Sequence, residues 1–300
     1  MLTLPSVLLF PGQGTEAVGM SAGWEVHAAW QAALGAAEVH AGYPLRKLMT
    51  EGPLEELRFQ RHAPCAVLAH SVGMFRSWRE AGMPLPVAGT GHSMGFYSAL
   101  VAAGVVSIEA ALDLLSAVED ASEAAFAERP MGMAFLIGAP ELRVREALLL
   151  RPALVLSNRN GQAQFTVSGP VDELEPLVAA LQPEVLKAGL LPVRHPLHGP
   201  HMAALLPAIS RRMAAVSPAA PAFPLLSHFD GRTLSTAREA WDEGLASVAL
   251  PVDWLAVVAR LRTLGSPLAE CGHGSQLAGL TRWAERALQV SSLQMPPPQA

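Results

Sequence analysis

Ser93 lies at the centre of the sequence Gly-His-Ser-Met-Gly, residues 91–95, which has the form Gly-x-Ser-x-Gly. A serine in this pattern acts as a nucleophile where a sharp turn presents it between a strand and a helix. The two glycines suit such a turn, because they carry no Cβ atom and tolerate strained φ values. At the N-terminus of a helix, unpaired N–H groups and the positive end of the helix dipole favour an oxyanion. The pattern therefore indicates nucleophilic catalysis by Ser93, and the alternative is a glycine-rich turn with an ordinary capping serine.

The segments around Ser93 have the character that this chemistry requires. Residues 84–88 form an apolar run typical of a strand, and residues 97–103 form a helical run. Near the N-terminus, residues 6–10 predict another strand, and the glycine-rich loop at residues 11–14 follows it. This loop lacks the Gly-Lys-Ser/Thr of a phosphate-binding P-loop. Open α/β sheets build their sites at the carboxyl ends of strands, which is where both glycine-rich loops are predicted to lie.

The middle of the chain predicts a second unit with the order β-α-β-β-α-β and a turn cluster at residues 158–161. Its segments are residues 131–137, 140–149, 153–157, 164–168, 171–181 and 185–193. This order and length are typical of a ferredoxin-like unit. We therefore predict an α/β fold with a larger α/β-hydrolase-like body and a parallel sheet, formed by residues 1–128 and 196–290. The ferredoxin-like subdomain, residues 129–195, is inserted into this body, and the proline-rich residues 291–300 form a flexible tail.

The composition excludes several classes of protein. Of the 300 residues, 51% are hydrophobic and 16% are charged, which indicates a globular chain with a large core. The net charge of −5 without a basic stripe argues against nucleic-acid binding. The two cysteines, Cys65 and Cys271, lie far apart, so neither a disulfide framework nor a zinc site is expected. Without a signal-peptide pattern or an apolar run of membrane-spanning length, we expect a cytoplasmic protein with no membrane partner. We also expect a monomer.

Four separated motifs occur in a set order along the chain. They are Phe10-Pro-Gly-Gln-Gly14, Gly91-His-Ser-Met-Gly95, His198-Gly-Pro-His-Met202 and Glu270-Cys-Gly-His-Gly-Ser-Gln-Leu277. In this order, with the predicted ferredoxin-like unit between the second and third, they resemble the malonyl-CoA:acyl carrier protein transacylase family. That family includes the acyltransferase domains of fatty acid and polyketide synthases. The resemblance covers residues 5–290 and implies an acyl-CoA substrate, an acyl carrier protein as partner and no bound cofactor.

The resemblance also implies a role for individual residues. Carried over by motif position, Ser93 takes the acyl group from coenzyme A and passes it to the phosphopantetheine thiol of the carrier protein. His198 is the base, because the family's histidine is followed by a methionine four positions later, as His198 is by Met202. The backbone N–H groups of Gln13 and Met94 form the oxyanion hole, and no metal is implied.

Three other histidines are close to these motifs. His195 and His201 do not fit the spacing to the methionine, and His92 matches the family's histidine beside the nucleophile. The alternative for His198 is an ordinary loop histidine. In the family a backbone carbonyl orients the catalytic histidine, and the matching segment here is residues 247–250.

Four positions depart from the family's pattern, and each departure makes the acyl pocket less polar. Counted without gaps from Ser93, Val118 occupies the position of the arginine that binds the free malonyl carboxylate. Phe96 stands in place of a glutamate, and Ala63 and Ser247 each stand in place of a glutamine. Because a buried carboxylate without a partner costs several kcal/mol, we expect a preference for neutral acyl groups.

Several alternatives stay open. Val118 could be a core residue of its helix, and Arg129 could supply the missing cation. The scaffold could hydrolyse acyl thioesters, as arginine-poor relatives do, with water in place of the carrier thiol. An inactive scaffold is disfavoured because Ser93 and His198 are both present. An α/β-hydrolase triad needs an acid between the serine and the histidine, but candidates such as Asp172 fall inside the ferredoxin-like unit.

Overall fold

A computed structural model of the chain describes residues 6–59 and 61–293. The strands of this part are β1 (Val7–Phe10), β2 (Ala88–Gly91), β3 (Met131–Ile137), β4 (Val155–Gly161), β5 (Gln164–Pro170), β6 (Lys187–Leu190), β7 (Leu225–Leu226), β8 (Thr233–Leu234), β9 (Val252–Asp253), β10 (Leu268–Glu270) and β11 (Val290–Ser292). The α-helices are α1 (Ala28–Ala41), α2 (Leu45–Glu51), α3 (Leu54–Leu57), α4 (His62–Glu80), α5 (Gly95–Ala102), α6 (Ile108–Ala125), α7 (Glu141–Leu149), α8 (Val171–Leu181), α9 (Pro200–Ala203), α10 (Leu206–Arg212), α11 (Ala237–Ala246), α12 (Trp254–Leu264) and α13 (Gln276–Ala284).

The larger of two sheets forms the centre of the body. Its order is β11-β10-β1-β2-β7-β8, and its described strands are parallel except for β8, which pairs antiparallel with β7. The side chains of β1 alternate between two cores, because successive residues of a strand face opposite sides of its sheet. Leu8 and Phe10 pack with residues of α4, α5 and α6, whereas Val7 and Leu9 pack with residues of α12 and α13. All four side chains are fully buried, as expected for a parallel sheet with helices on both faces.

The smaller sheet contains the middle of the chain. Its order is β6-β3-β5-β4-β9, with antiparallel pairs throughout except for the parallel pair β4–β9. Residues of α7 and α8, such as Val144 and Leu177, pack with Phe165 of β5 in a separate core. The predicted β-α-β-β-α-β order is present, and β9 adds a short strand from outside the segment 129–195. The mixed α/β class is confirmed, while the assignment of a hydrolase-like body and a ferredoxin-like insert stays a prediction.

Three local predictions were wrong in detail. The strand before Ser93 is β2 and not residues 84–88, because pairing with β1 and β7 outweighs the low strand propensity of its glycines. Residues 158–161 belong to β4, where two register shifts against β5 accommodate them, and the turn is at residues 162–163. Residues 291–292 of the predicted tail belong to β11, because their backbone pairs with β10. Residues 294–300 lie outside the described residues.

The register of the larger sheet brings the two glycine-rich loops together. β1 and β2 are neighbouring parallel strands, and Phe10 lies opposite Gly91. The loops that follow them, residues 11–14 and 92–94, therefore leave the same edge of the sheet, as the sequence predicts.

Candidate active site

Ser93 occupies the apex of a sharp turn between β2 and α5. Its φ angle is +55°, in the left-handed region that residues with a side chain rarely adopt. The turn depends on two glycines: a Cβ atom on Gly91 would overlap the backbone of Gly95, and one on Gly95 would overlap the carbonyl oxygen of Phe10. The structure thus contains the strand, the strained serine and the helix that the pentapeptide predicts.

Ser93 and His198 form a hydrogen-bonded dyad. The Ser93 Oγ atom lies 2.7 Å from His198 Nε2, and His198 Nδ1 lies 3.2 Å from the carbonyl oxygen of Leu250. Because a carbonyl only accepts, Nδ1 carries the proton, and Nε2 is left to accept the hydroxyl hydrogen of Ser93. The backbone N–H of His198 donates to the carbonyl of Val248 at 2.9 Å, and its φ angle of +63° is also left-handed. The segment before β9 therefore fixes the position and the tautomer of His198.

The environment keeps His198 neutral at physiological pH. Burial, with a smaller contribution from the neighbouring His92, lowers the pKa of its imidazole to about 4, while the carbonyls of Ser247 and Leu250 act in the opposite direction. A neutral imidazole with a free Nε2 lone pair has the form that a general base requires.

The other three histidines near the motifs have partners of their own. His92 Nε2 lies 2.7 Å from Asn160 Oδ1, so the ring links the turn at Ser93 to β4 of the smaller sheet. His201 Nε2 lies 2.8 Å from the carbonyl of Ala153, and His195 Nε2 lies 2.7 Å from Glu119 Oε2. Among the described residues, His198 is therefore the histidine that reaches the serine.

The backbone N–H groups of Gln13 and Met94 are available to an oxyanion. Gln13 belongs to the loop after β1, and Met94 is the residue before the first turn of α5. Both residues line the cavity beside Ser93, and neither N–H group has an acceptor within residues 6–59 and 61–293. A helix N-terminus with a free N–H group stabilises negative charge on a nearby oxygen.

A small cavity of about 50 Å³ adjoins Ser93 on the side of α6. Its lining consists of Gln13, Pro64, Ser93, Met94, Tyr97, Leu115, Val118, Glu119, His195, Leu197, His198, Ser247 and Val248. Val118 and Ser247, two of the predicted pocket residues, are in this lining. Phe96 and Ala63 are not: Phe96 is fully buried with its ring 4.6 Å from that of His228, and Ala63 is buried beside Pro64 on α4. Both side chains are buried, and Phe96 packs in the main core, a property that a position count along the sequence does not reveal.

The cavity wall contains a buried polar pair that the sequence reasoning missed. Glu119 Oε2 lies 2.7 Å from His195 Nε2, and the two side chains are 11% and 7% exposed. Glu119 follows Val118 on a helix whose other buried positions are apolar except for Ser122. A charged residue on this buried face was the signal by which the sequence could have indicated it. His195 comes from the loop after β6, three residues before His198.

On its other side, Ser93 opens into a cleft between the two sheets, with a volume of about 330 Å³. Gln13, His92 and Ser93 line the cleft from the body. The opposite wall belongs to the smaller sheet and contains Met133, Phe135, Asn158, Asn160, Gln164, Thr166 and Lys187. Ser93 therefore lies where the cleft meets the small cavity.

Comparison with known proteins identifies the family. A model described as acyl transferase domain matches residues 7–243. The chain belongs to this family. A malonyl CoA-acyl carrier protein transacylase of Salmonella typhimurium is 30% identical, over 96% of this chain and 95% of the relative. The polyketide biosynthesis protein ThaF of Burkholderia thailandensis is 33% identical, over 91% of this chain and 24% of that longer protein.

Solved structures lead to the same family. An acyl-carrier-protein S-malonyltransferase from Burkholderia pseudomallei matches with a TM-score of 0.89 at 28% identity, over 98% of this chain and 97% of that one. A malonyl-transacylase in complex with a type II polyketide synthase acyl-carrier protein matches with a TM-score of 0.88 at 27% identity, over 96% of each chain. The protein is therefore an acyltransferase of the kind found in fatty acid and polyketide synthesis.

Charges around the cavity of this acyltransferase have a notable distribution. Among the described residues, no arginine or lysine lines the cavity. Arg129, which the sequence left as a substitute cation, is exposed and forms ion pairs with Asp172 and Glu173. Asp172 is thus a surface residue of α8 and does not complete a triad with Ser93 and His198. No group of three or more histidine, cysteine or acidic side chains in the described ranges has a metal-binding arrangement, and no helix there has the length and apolarity to cross a membrane.

Proposed function

We propose that this acyltransferase moves an acyl group from coenzyme A to the phosphopantetheine thiol of an acyl carrier protein, through an ester on Ser93. The observation that carries the proposal is the 2.7 Å hydrogen bond between Ser93 Oγ and His198 Nε2 at the meeting point of cleft and cavity. The names of the relatives support the same donor and acceptor, and one similar malonyl-transacylase is bound to its carrier protein.

In the first half-reaction, Ser93 Oγ attacks the thioester carbonyl carbon while His198 Nε2 takes the hydroxyl proton. The carbonyl oxygen becomes an oxyanion that the N–H groups of Gln13 and Met94 stabilise. The carbon–sulfur bond then breaks, and His198 returns the proton to the departing thiolate of coenzyme A. The product is an acyl ester of Ser93 and free coenzyme A.

The second half-reaction reverses these steps with the carrier protein. The carrier thiol gives its proton to His198, and its sulfur attacks the ester carbonyl. The bond between the acyl carbon and Ser93 Oγ breaks, and His198 returns the proton to that oxygen. The carbonyl of Leu250, 3.2 Å from His198 Nδ1, stabilises the imidazolium in both half-reactions without itself taking a proton.

We propose that the pantetheine arm lies in the cleft and the acyl group in the cavity. The cleft has polar side chains on β4 and β5, including Asn158 and Thr166, which suit the two amides of pantetheine. The cavity is on the far side of Ser93 and is enclosed mainly by apolar side chains such as Leu115 and Val118. The proposed division into a body and an inserted subdomain fits this arrangement, because binding sites commonly lie between domains.

The acyl group that suits the cavity is neutral. Counted without gaps from Ser93, Val118 stands where the family carries the malonyl-binding arginine. The described lining contains no arginine or lysine. A malonyl carboxylate would therefore be buried without a cation, in a cavity whose wall already contains the carboxylate of Glu119. Such burial costs several kcal/mol, which corresponds to a rate lower by about a hundredfold or more.

The dyad is tested by intact-mass analysis after mixing the protein with acetyl-CoA or butyryl-CoA. The wild type is expected to gain the mass of one acyl group, and Ser93→Ala to gain none. His198→Ala is expected to form the acyl-enzyme at a rate lower by about 10² or more. His201→Gln, which alters a nearby histidine outside the dyad, is the control and is expected to resemble the wild type. Acylation of Ser93→Ala would refute the proposal.

Selectivity is tested by competition for Ser93 between malonyl-CoA and butyryl-CoA. The wild type is expected to load butyryl faster, and Val118→Arg is expected to shift the preference towards malonyl. Faster loading of malonyl by the wild type would contradict the assignment of Val118. Addition of carrier protein distinguishes transfer from hydrolysis. Transfer produces acylated carrier protein, whereas hydrolysis releases the free acid even when no carrier protein is present.

A further inference from the structure

The cavity beside Ser93 is too small for a long acyl chain. A water molecule requires a cavity of about 10–15 Å³, so a volume of about 50 Å³ has room for about four water-sized groups. That space accommodates the carbon atoms of an acetyl to butyryl group. Any longer chain attached to Ser93 must extend past the cavity wall.

One part of that wall separates the cavity from a much larger space. Glu119 and His195 line the cavity and also line a groove of about 810 Å³ between the end of α6 and the smaller sheet. The groove has apolar side chains on several sides, including Phe59, Phe126, Met131 and Val171. Phe59 is 41% exposed, and the guanidinium of Arg194, which also lines the groove, lies 5.9 Å from the centre of its ring.

The wall at this point consists of two side chains joined by a single contact. Glu119 belongs to α6 and His195 to the loop after β6, and they meet through one hydrogen bond of 2.7 Å. The second ring nitrogen, His195 Nδ1, is buried and has no hydrogen-bond partner among the described residues. Buried polar atoms in folded proteins are nearly always hydrogen-bonded. While the Glu119–His195 contact is closed, the Nδ1 atom of His195 lacks such a hydrogen bond within the described ranges. The contact is between side chains only, so opening it does not require a backbone hydrogen bond to break.

We propose that this acyltransferase accepts acyl chains of about six carbons or more, whose distal carbons pass between Glu119 and His195 and lie in the groove. The proposal rests on the proposed acylation of Ser93. The covalent step is unchanged: the bond from Oγ to the acyl carbon forms, the carbon–sulfur bond breaks, and the thiol leaves with the proton from His198. The occupant of the groove is thus the alkyl part of the substrate.

A second neighbouring cavity fits an alkyl chain less well. It has a volume of about 140 Å³ and also adjoins Glu119, on the side of α1 and α4. Its lining includes polar groups of His40, Tyr43, Arg61 and Ser116, which an alkyl chain would separate from water without replacing their hydrogen bonds. The groove also contains charged side chains, such as those of Arg58, Glu123 and Arg194, but its larger volume and its apolar side chains favour it as the path.

The test measures the rate of acyl-Ser93 formation with N-acetylcysteamine thioesters of two, four, six, eight and ten carbons. These thioesters lack the nucleotide of coenzyme A, so a change in rate caused by a substitution in the groove reports on the acyl chain. The wild type is expected to load octanoyl faster than acetyl by about tenfold, because each buried methylene adds to transition-state binding. A wild type that loads only two- and four-carbon groups would overturn the proposal and leave acylation of Ser93 intact. Failure to load any chain would instead contradict the proposed function.

Two tryptophan variants locate the alkyl chain. Ala127 is exposed and lines the groove, so Ala127→Trp fills part of it. The octanoyl-to-acetyl ratio is expected to fall by about tenfold in this variant. Ala124→Trp introduces the same side chain at an exposed position of α6 outside the groove lining, and it is expected to keep the wild-type ratio. The same octanoyl-to-acetyl ratio in the wild type and both variants would overturn the proposal. It would mean that the alkyl chain lies outside the groove, for example in the cavity near His40. If Ala127→Trp slows acylation only by coenzyme A esters, and by the same factor at every chain length, the groove binds the nucleotide and the proposal is wrong.

Discussion

The pH dependence of acylation provides a stringent test of the dyad, because the structure gives His198 an unusual pKa. Burial, with a smaller contribution from His92, lowers the pKa of its imidazole from 6.5 to about 4. This difference corresponds to about 3 kcal/mol against the imidazolium. At pH 5.5, an ordinary histidine would be about 90% protonated and inactive as a base, whereas His198 would be only about 3% protonated.

The expected result is a rate of Ser93 acylation that hardly changes between pH 7.5 and pH 5.5. A histidine with the ordinary pKa would lose about tenfold in rate over the same interval. The assay is rapid-quench mass spectrometry with butyryl-N-acetylcysteamine, which has no group that titrates in this range. An inflection near pH 6.5 would refute the reasoning, because it would mean that His198 is solvated or that another group is the base.

Acid unfolding must be separated from this effect. A lowered pKa means that the unfolded chain binds more protons at His198 than the folded one, so this residue reduces stability as pH falls from about 6.5 through about 4. Circular dichroism at pH 5.5, and recovery of the full rate after return to pH 7.5, show whether the fold persists. His198→Ala is the matched variant, and its residual rate should lack any inflection from this residue.

The remaining predictions concern stability. Gly95→Ala is expected to prevent folding or to lower the melting temperature strongly, because the new Cβ atom would overlap the carbonyl oxygen of Phe10 in β1. Gly279→Ala, in open space on α13, is expected to stabilise the protein by about 1 kcal/mol. Equal effects of the two substitutions in thermal unfolding would contradict this account. Asn160→Ala removes the acceptor of the buried His92 ring and should cost about 1–3 kcal/mol in urea unfolding. Asn158→Ala, whose Oδ1 has no hydrogen-bond partner among the described residues, should cost less, and a larger loss there would be the adverse result.

Much of the local structure was predictable because it depends on short-range patterns. The pentapeptide around Ser93 specifies a strained turn through its two glycines, and the structure has that turn with φ of +55° at the serine. The start of α6 is likewise local, because the hydroxyl of Ser107 accepts the N–H of Ala110 at 3.1 Å and caps the helix. The β-α-β-β-α-β order followed from the alternation of apolar runs and turn residues.

The site itself was decided by contacts between distant parts of the chain. His198 is 105 positions from Ser93, and its tautomer depends on the carbonyl of Leu250, a group without any side-chain signal. The pair of Glu119 and His195 closes the cavity from residues 76 positions apart. A periodic pattern indicates which face of a helix is buried but not which neighbour covers it.

The same distinction applies to Phe96, which the sequence places in the acyl pocket. It follows the turn at Ser93, but its side chain is fully buried and its ring lies 4.6 Å from that of His228. Val118, predicted from an equally simple count, does line the cavity. Residue type and spacing alone predicted Ser93 as the nucleophile and determined the turn that presents it. The packing of the smaller sheet and the loop at His195 against α6 decided which side chains line the cavity beside Ser93, because burial and contact depend on how whole elements are arranged in three dimensions.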